Sequence, residues 1–256
     1  MMKIVRYERK GVKRWGVLDI TGEHVREGVG NFIHDWGLTK KIFSLDSLHL
    51  LPPVEPTKIV ALGLNYRDHA EEMKFPLPED PMIFIKPSSA VIGPADKIIY
   101  PKMASQVDYE AELAIVIGKT ARHVLPENSR SHVLGYTCLN DVTARDLQRK
   151  DIQFTRAKGF DTFCPIGPCI ATDVTPDDLA VEAYLNGERK QSSRTSQLIF
   201  GVDELVSFIS LVMTLYPGDI ISTGTPGGIG PMQPGDTIEI RIEKIGSLIN
   251  KVEAEV

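Results

Sequence analysis

Read for the spacing of its apolar positions, the chain divides into short strands separated by turn signals, with a few helices between them. Strands over 3–7 and 14–19 join across Arg9-Lys10-Gly11 and end at the Thr21-Gly22 turn. Pro52-Pro53-Val54-Glu55-Pro56 stiffens the backbone and separates a small β-rich N-terminal lobe, residues 1–53, from a larger domain, residues 54–256. An apolar run over 58–64 predicts a buried strand, and Asn65 is placed to cap a helix that carries Arg67, His69 and Glu72. Three prolines between Pro76 and Pro81 require a loop, one able to lie over a cleft, before a strand that ends at Lys86-Pro87. A proline-led helical segment over 127–132 precedes a strand over 133–140, which delivers Asp141 at its end, and the short helix that follows presents Arg145 and Gln148 on one face. Asn186-Gly187 predicts a hairpin between 181–185 and 189–192. Val202, Leu205, Val206, Ile209, Val212, Met213 and Tyr216 have helical spacing behind an Asp203 cap, and Pro217-Gly218 stops that helix. Two Pro-Gly-Asp turns lead into the closing strands, where Ile238, Ile240 and Ile242 alternate with Glu239, Arg241 and Glu243.

One strand departs from simple half-burial. Over 107–117, Tyr109, Ala111, Leu113, Ile115 and Ile117 share one face, while Asp108, Glu110 and Glu112 occupy the other before Ala114 and Val116 continue it. Three acids thus line a stripe that runs into apolar residues. Carboxylates crowded there repel one another unless a cation sits among them; the plainer alternative is a charged edge strand.

Composition narrows the picture. A chain of 256 residues with 42% hydrophobic and 25% charged residues can build a sizeable core. The formal charge of -5 offers no basic excess for nucleic acid, and no apolar stretch approaches the roughly 20 residues of a membrane span. A cytoplasmic location is the expectation. Cys138, Cys164 and Cys169 form no zinc-type spacing and, lying among apolar neighbours, read as buried thiols. His24, His34 and His49 have no acidic or Cys partner at ligand spacing. The glycine-rich stretch over 222–230 fits neither a Walker A nor a Gly-x-Gly-x-x-Gly pattern; its amides, with Gly224 and the Thr225 hydroxyl, suit a small carboxylate. Lys158 beside Gly159 stands where backbone approaches a ligand closely, or is a surface lysine.

Glu110, Glu112 and Asp141 offer only hard oxygen ligands, which selects Mg²⁺, Mn²⁺ or Ca²⁺ over zinc or copper. His69 and Glu72, three apart on a helix, allow the acid to orient an imidazole base, although a solvated surface helix would carry the same acids.

Together these stretches resemble a family. Asn65-Tyr66-Arg67-Asp68-His69-Ala70-Glu71-Glu72, Phe84-Ile85-Lys86-Pro87, Asp108-Tyr109-Glu110-Ala111-Glu112-Leu113, Asp141 to Gln148, Lys158-Gly159-Phe160-Asp161 and Thr223 to Gly228 are similar, in order, to the motifs of the fumarylacetoacetate hydrolase family. The resemblance implies an α+β, mainly β fold, a mixed β-sandwich roll, and a homodimer. It implies Mg²⁺ or Mn²⁺ on Glu110, Glu112 and Asp141, a His69/Glu72 dyad on a lid, Lys158 in catalysis, and substrate contacts from Arg67, Lys86, Arg145, Gln148, Gly224 and Thr225. True fumarylacetoacetases carry a further acidic ligand shortly before the histidine, where this chain has Ala61-Leu62-Gly63-Leu64-Asn65. The expectation is therefore a shorter, bacterial-type relative that cleaves a C–C bond in 2,4-dioxo acids of the acylpyruvate type through a metal-bound pyruvate enolate. The alternatives are an isomerase of 2-hydroxyhepta-2,4-diene-1,7-dioate or of 5-carboxymethyl-2-hydroxymuconate, or an oxaloacetate-type decarboxylase, using the same metal site; a non-enzymatic 2-oxo acid binding protein is disfavoured by the dyad.

Overall fold

The computed structural model describes residues 1–256. In chain order the strands of the first half are β1 (Lys3–Arg9), β2 (Val12–Leu18), β3 (His24–Asn31), β4 (Asp35–Ser44), β5 (His49–Leu51), β6 (Ile59–Leu62), β7 (Ile83–Lys86), β8 (Val91–Ile92), β9 (Lys97–Tyr100), β10 (Val107–Tyr109) and β11 (Ala111–Ile117), with helix α1 (Arg67–Met73) between β6 and β7. There follow β12 (Val133–Asn140), β13 (Thr143–Ala144), α2 (Arg145–Lys150), α3 (Thr155–Lys158), β14 (Cys164–Ala171), β15 (Ala180–Leu185), β16 (Glu188–Arg194), α4 (Val202–Val212), β17 (Ile220–Ser222), β18 (Gly230–Met232), β19 (Thr237–Ile242) and β20 (Gly246–Ala254). The fold is mainly β, as the alternating pattern leads one to expect.

The strands form three sheets. The largest runs β4-β3-β2-β1-β14-β12-β11-β17-β6-β7, with β5 and β8 attached at its side; a second runs β16-β15-β19-β20-β9, and a third is the small β13-β10-β18. Strand β1 pairs antiparallel with β14, so the N-terminal strands extend the main sheet. Every residue of β11 is buried, because the strand is covered on both faces. Leu113, Ile115 and Ile117 pack with Val181, Ile240 and Ile242 of the second sheet in the main core. Ala114 and Val116 face a smaller core with Ile4, Trp15, Ile166 and Ile220. The alternation seen in sequence thus separates two cores rather than a core and solvent.

Several local expectations change. The acidic stretch is not one strand: β10 belongs to the small sheet and β11 to the large one, with the break at Glu110. There the side chain of Asn140 accepts the Glu110 amide at 2.9 Å in place of a backbone partner, and the Glu110 carbonyl accepts the Asp141 amide at 2.9 Å. Asn65 does not cap α1. Its buried side chain instead donates to the carbonyls of Phe200 and Thr223 and accepts from the Phe200 amide, cross-linking three loops. Gly201, not Asp203, holds the N-cap position of α4, which ends at Val212 and leaves Met213 and Tyr216 outside; Asp203 lies in the first turn, where a carboxylate suits the helix dipole. The 127–132 segment is a 3-10 helix over Pro126–His132. The Asn186-Gly187 hairpin forms with both residues at positive φ, 52° and 82°. All three cysteines are free and buried, and His24, His34 and His49 are exposed.

Asp219 joins the connecting segment to the main sheet. Fully buried, it accepts the amides of Thr57 and Lys58 and the Thr57 hydroxyl on one oxygen, and the Tyr216 amide on the other, which also meets the Lys58 ammonium. Asp219→Ala is expected to cost about 2 kcal/mol, since it strands several buried donors. Asp203→Ala, which breaks only an exposed pair with Arg130, should cost less than about 1 kcal/mol. Urea unfolding of both variants provides the comparison.

Candidate metal centre and acid-base pair

Five segments converge on the site. The kink between β10 and β11 presents Glu110, the first turn of β11 presents Glu112, and the end of β12 presents Asp141. All three are buried, and one ligand atom from each lies within 4.8 Å of the others. From the next segments come Arg145 and Gln148 on α2 and Lys158 at the end of α3.

Each acid has one oxygen tied back into the protein. Glu110 Oε1 accepts from Arg145 Nη2 at 2.5 Å and Thr143 Oγ1 at 3.2 Å. Glu112 Oε2 accepts from Ser222 Oγ at 2.5 Å and the Gly224 amide at 2.8 Å. Asp141 Oδ1 accepts from Lys86 Nζ at 2.5 Å. The second oxygens of Glu110 and Asp141 share the Lys158 ammonium, at 2.8 Å and 2.6 Å, while Glu112 Oε1 is buried without any partner. Burial pushes the Glu110 carboxyl up, but Lys158 and Arg145 overcome that and hold it well below the usual carboxylate range. Glu112 goes the other way: burial and the charges of Asp141 and Glu110 raise it. A buried acid with an unpartnered oxygen beside two others is a ligand set in want of positive charge, and its all-oxygen donors fit a hard divalent cation.

Asp108 does not join the triad. It is buried against Arg145 Nε at 2.8 Å and Gln106 at 3.0 Å, so Arg145 bridges it to Glu110 and fixes the guanidinium. Lys86, at the end of β7, is not placed to touch a substrate: its side chain is fully buried, and its ammonium is spent on Asp141 and the Val142 carbonyl. The Gly224 amide likewise serves Glu112. The carboxylates that the glycine-rich stretch receives are the chain's own. Thr225 donates to the Ala111 carbonyl at 3.0 Å and accepts from Gln191, Arg67 donates to the Leu198 carbonyl, and Gln148 accepts from Arg145.

Helix α1 places His69 Nδ1 3.3 Å from Glu72 Oε2, with the His69 side chain 13% exposed. Glu72 Oε2 also accepts the Gly228 amide at 3.1 Å. One loop, from Thr223 to Gly228, therefore fixes Glu112 at one end and Glu72 at the other. Tyr66, one residue before α1, is fully buried with an unpartnered hydroxyl, and burial together with Glu112 and Asp68 raises it. Asn140, Thr143, Gln191 and Ser222 are the supporting residues that sequence reasoning did not identify, and Asn65 is one it assigned to another role. Asn140, next to Asp141, carried the one usable signal, a polar residue at the buried end of a strand.

Among proteins of known family, residues 58–253 match the fumarylacetoacetate (FAA) hydrolase C-terminal family and residues 2–53 the Rv2993c-like N-terminal family. The chain belongs to the fumarylacetoacetate hydrolase family, whose members are enzymes. It is 44% identical over 215 residues to the mitochondrial oxaloacetate tautomerase FAHD2B of Bos taurus, covering 79% of this chain and 68% of that one. The solved 2-hydroxyhepta-2,4-diene-1,7-dioate isomerase of Mycobacterium marinum superposes with a TM-score of 0.93 at 42% identity, over 100% of this chain and 99% of that one. Maleylpyruvate hydrolase of Sphingobium sp. SYK-6 does so with a TM-score of 0.82 at 31% identity, over 99% and 100%.

A side chain at Gly227 would place its Cβ 2.6 Å from Glu72 Oε2, the mobile end of a half-exposed residue. Gly227→Ala is thus expected to fold normally and to push Glu72 off His69. Ring ¹⁵N resonances of His69 should lose the signature of a single hydrogen-bonded tautomer, while a thermal melt stays near that of the parent.

Proposed function

We propose that this protein is a divalent-cation-dependent enzyme of small 2-oxo acids that transfers a proton at the carbon next to the 2-oxo group, a keto–enol tautomerase or double-bond isomerase. The observation that carries the proposal is the His69–Glu72 pair, held by the same loop that clamps Glu112. The names of the tautomerase and isomerase relatives, each above 40% identical, support it.

The residues divide the work. Glu110, Glu112 and Asp141 would hold Mg²⁺ or Mn²⁺, which when bound supplies chelation of the carboxylate and 2-oxo oxygens and stabilises negative charge that develops on them. Glu72 accepts from His69 Nδ1, which leaves Nε2 as the basic nitrogen of a neutral imidazole. Nε2 takes the proton from C3, and the electron pair of that C–H bond moves toward the 2-oxo oxygen to give an enolate. Return of the proton to oxygen yields the enol, and its return to a more distant carbon of a conjugated substrate yields the shifted double bond. Lys158, bridging Glu110 and Asp141, keeps a positive charge beside the developing anion. Arg145, locked by Asp108 and Glu110, borders the same region.

A second reading has its own support. A dyad of this geometry also suits deprotonation of water for attack on the distal carbonyl of a 2,4-dioxo acid, after which C–C cleavage leaves the enolate of pyruvate; the maleylpyruvate hydrolase likeness favours it. Ultraviolet assays on oxaloacetate, 2-hydroxyhepta-2,4-dienedioate and acylpyruvates separate the two, since hydrolysis of an acylpyruvate releases pyruvate together with a second carboxylic acid, tautomerisation and isomerisation leave the carbon skeleton intact, and pyruvate formed from oxaloacetate with release of CO₂ marks decarboxylation instead. Activity is expected with Mg²⁺ or Mn²⁺ and to disappear with EDTA; activity indifferent to the chelator would remove the cation from the scheme. His69→Gln should lower turnover by about 100-fold or more with Mn²⁺ affinity unchanged, and equal loss of both would contradict the division of roles.

A further inference from the structure

The proposed chemistry holds a substrate by its carboxylate and 2-oxo group and leaves the substituent on C3 to other surfaces. Beside the centre, a groove of about 350 Å³ runs along the edge strand β7 and the segment that enters α3. Met82 to Ile85, Ile152 and Phe154 line it, with Gln153 and Thr155 as its polar members, so no charged side chain borders it. Ile152 is fully exposed and Met82 and Ile85 are about half exposed, a cluster of apolar surface of the kind that marks a binding site.

The groove and the charged centre share walls. The Lys158 ammonium that bridges Glu110 and Asp141 stands 5.4 Å from the centroid of the Phe84 ring, and Phe154 meets that ring edge-on at 5.4 Å. Met82 lies over Gly63, in the space a Cβ there would take, and the Gly63 carbonyl abuts Gly224, whose amide holds Glu112. Phe84 thus belongs to the groove and to the surroundings of the catalytic lysine at once. We propose that the groove receives the substituent on C3, and that the preferred substrate is a 2-oxo acid carrying an aryl or branched alkyl group there rather than a second carboxylate; this rests on the reading of the centre as a site for 2-oxo acids. A carboxylate drawn into the groove loses water and meets no counter-charge, since Lys158 is already shared by two acids. An aryl ring instead buries against Phe84, Phe154 and Ile152. These three side chains determine specificity and take no part in proton transfer.

Phenylpyruvate, in which a phenyl ring replaces the C4 carboxylate of oxaloacetate, tests the assignment on the full chain with Mg²⁺. Ultraviolet measurement of keto–enol conversion is expected to give a higher kcat/KM for phenylpyruvate than for oxaloacetate. Ile152 is the position to change, because its side chain is fully exposed and carries no part of the core. Ile152→Lys offers the missing counter-charge and should move the phenylpyruvate-to-oxaloacetate ratio of kcat/KM toward oxaloacetate by about tenfold. Ile152→Ser should weaken phenylpyruvate binding, followed by calorimetry, by about fivefold. Calorimetry reads the groove even without turnover: phenylpyruvate bound in an Ile152-dependent way by an inactive protein sustains the groove assignment and removes the proposed reaction. A parent protein that prefers oxaloacetate, or a ratio and an affinity indifferent to Ile152, overturns the groove assignment and leaves the reaction standing. So does an altered sedimentation coefficient of the variants with phenylpyruvate binding unchanged, which gives the groove to a second copy of the chain.

Discussion

Three carboxylates cannot be buried within a few ångströms of one another unless positive charge is buried with them, and that requirement organises the centre of this molecule. Lys158 spans Glu110 and Asp141, Lys86 lies behind Asp141, and Arg145 spans Glu110 and Asp108. Four acids thus share three basic side chains. The imbalance falls on Glu112, which has only the neutral donors Ser222 and Gly224 and keeps one oxygen without a partner. A divalent cation would supply what this arrangement lacks, and the all-oxygen donor set suits the same class of ligand.

The sheets bring these groups together by interrupting regularity at one place. Had β10 and β11 continued as one strand, Asp108, Glu110 and Glu112 would stand in a row on one face. Instead the Asn140 side chain takes the Glu110 amide, the strand turns into a second sheet, and Glu110 and Glu112 converge on Asp141 while Asp108 is left to Arg145. The loop from Thr223 to Gly228 then couples this centre to the acid-base pair. Gly224, at φ 90° and with the Asn65 Cβ only 2.8 Å from where its own Cβ would stand, is required by that close approach.

The relatives are named as a tautomerase, an isomerase and a hydrolase, and the proposed enolate chemistry is one that a single centre could turn to each of these reactions. On the proposed reading a charged intermediate of this kind would be common to the three reactions, and the outcome would depend on where the proton is returned or whether water is activated. On that reading the interior charges would serve any of the three reactions, and the choice among them would fall to the α1 face that carries His69 and Glu72.

Much of this was legible along the chain because it is local. The three-residue spacing of His69 and Glu72 places them together on any helix, the alternation in 107–117 marks both cores, and Asp141 stands at the end of a recognisable strand. Local propensity failed where tertiary bonds outbid it: Asn65 gave up a helix cap for loops 135 and 158 residues away, and Lys86, which reads as an accessible strand-end lysine, is buried by a partner 55 residues on. By itself the sequence determined the strand-rich fold, the acidic ligand types and the histidine–glutamate pair, since these follow from residue chemistry and short-range periodicity. Only the tertiary structure decided which cation neutralises which acid and which carboxylate oxygens stay free, because those pairings are made across sheets by residues whose separation along the chain carries no local signal.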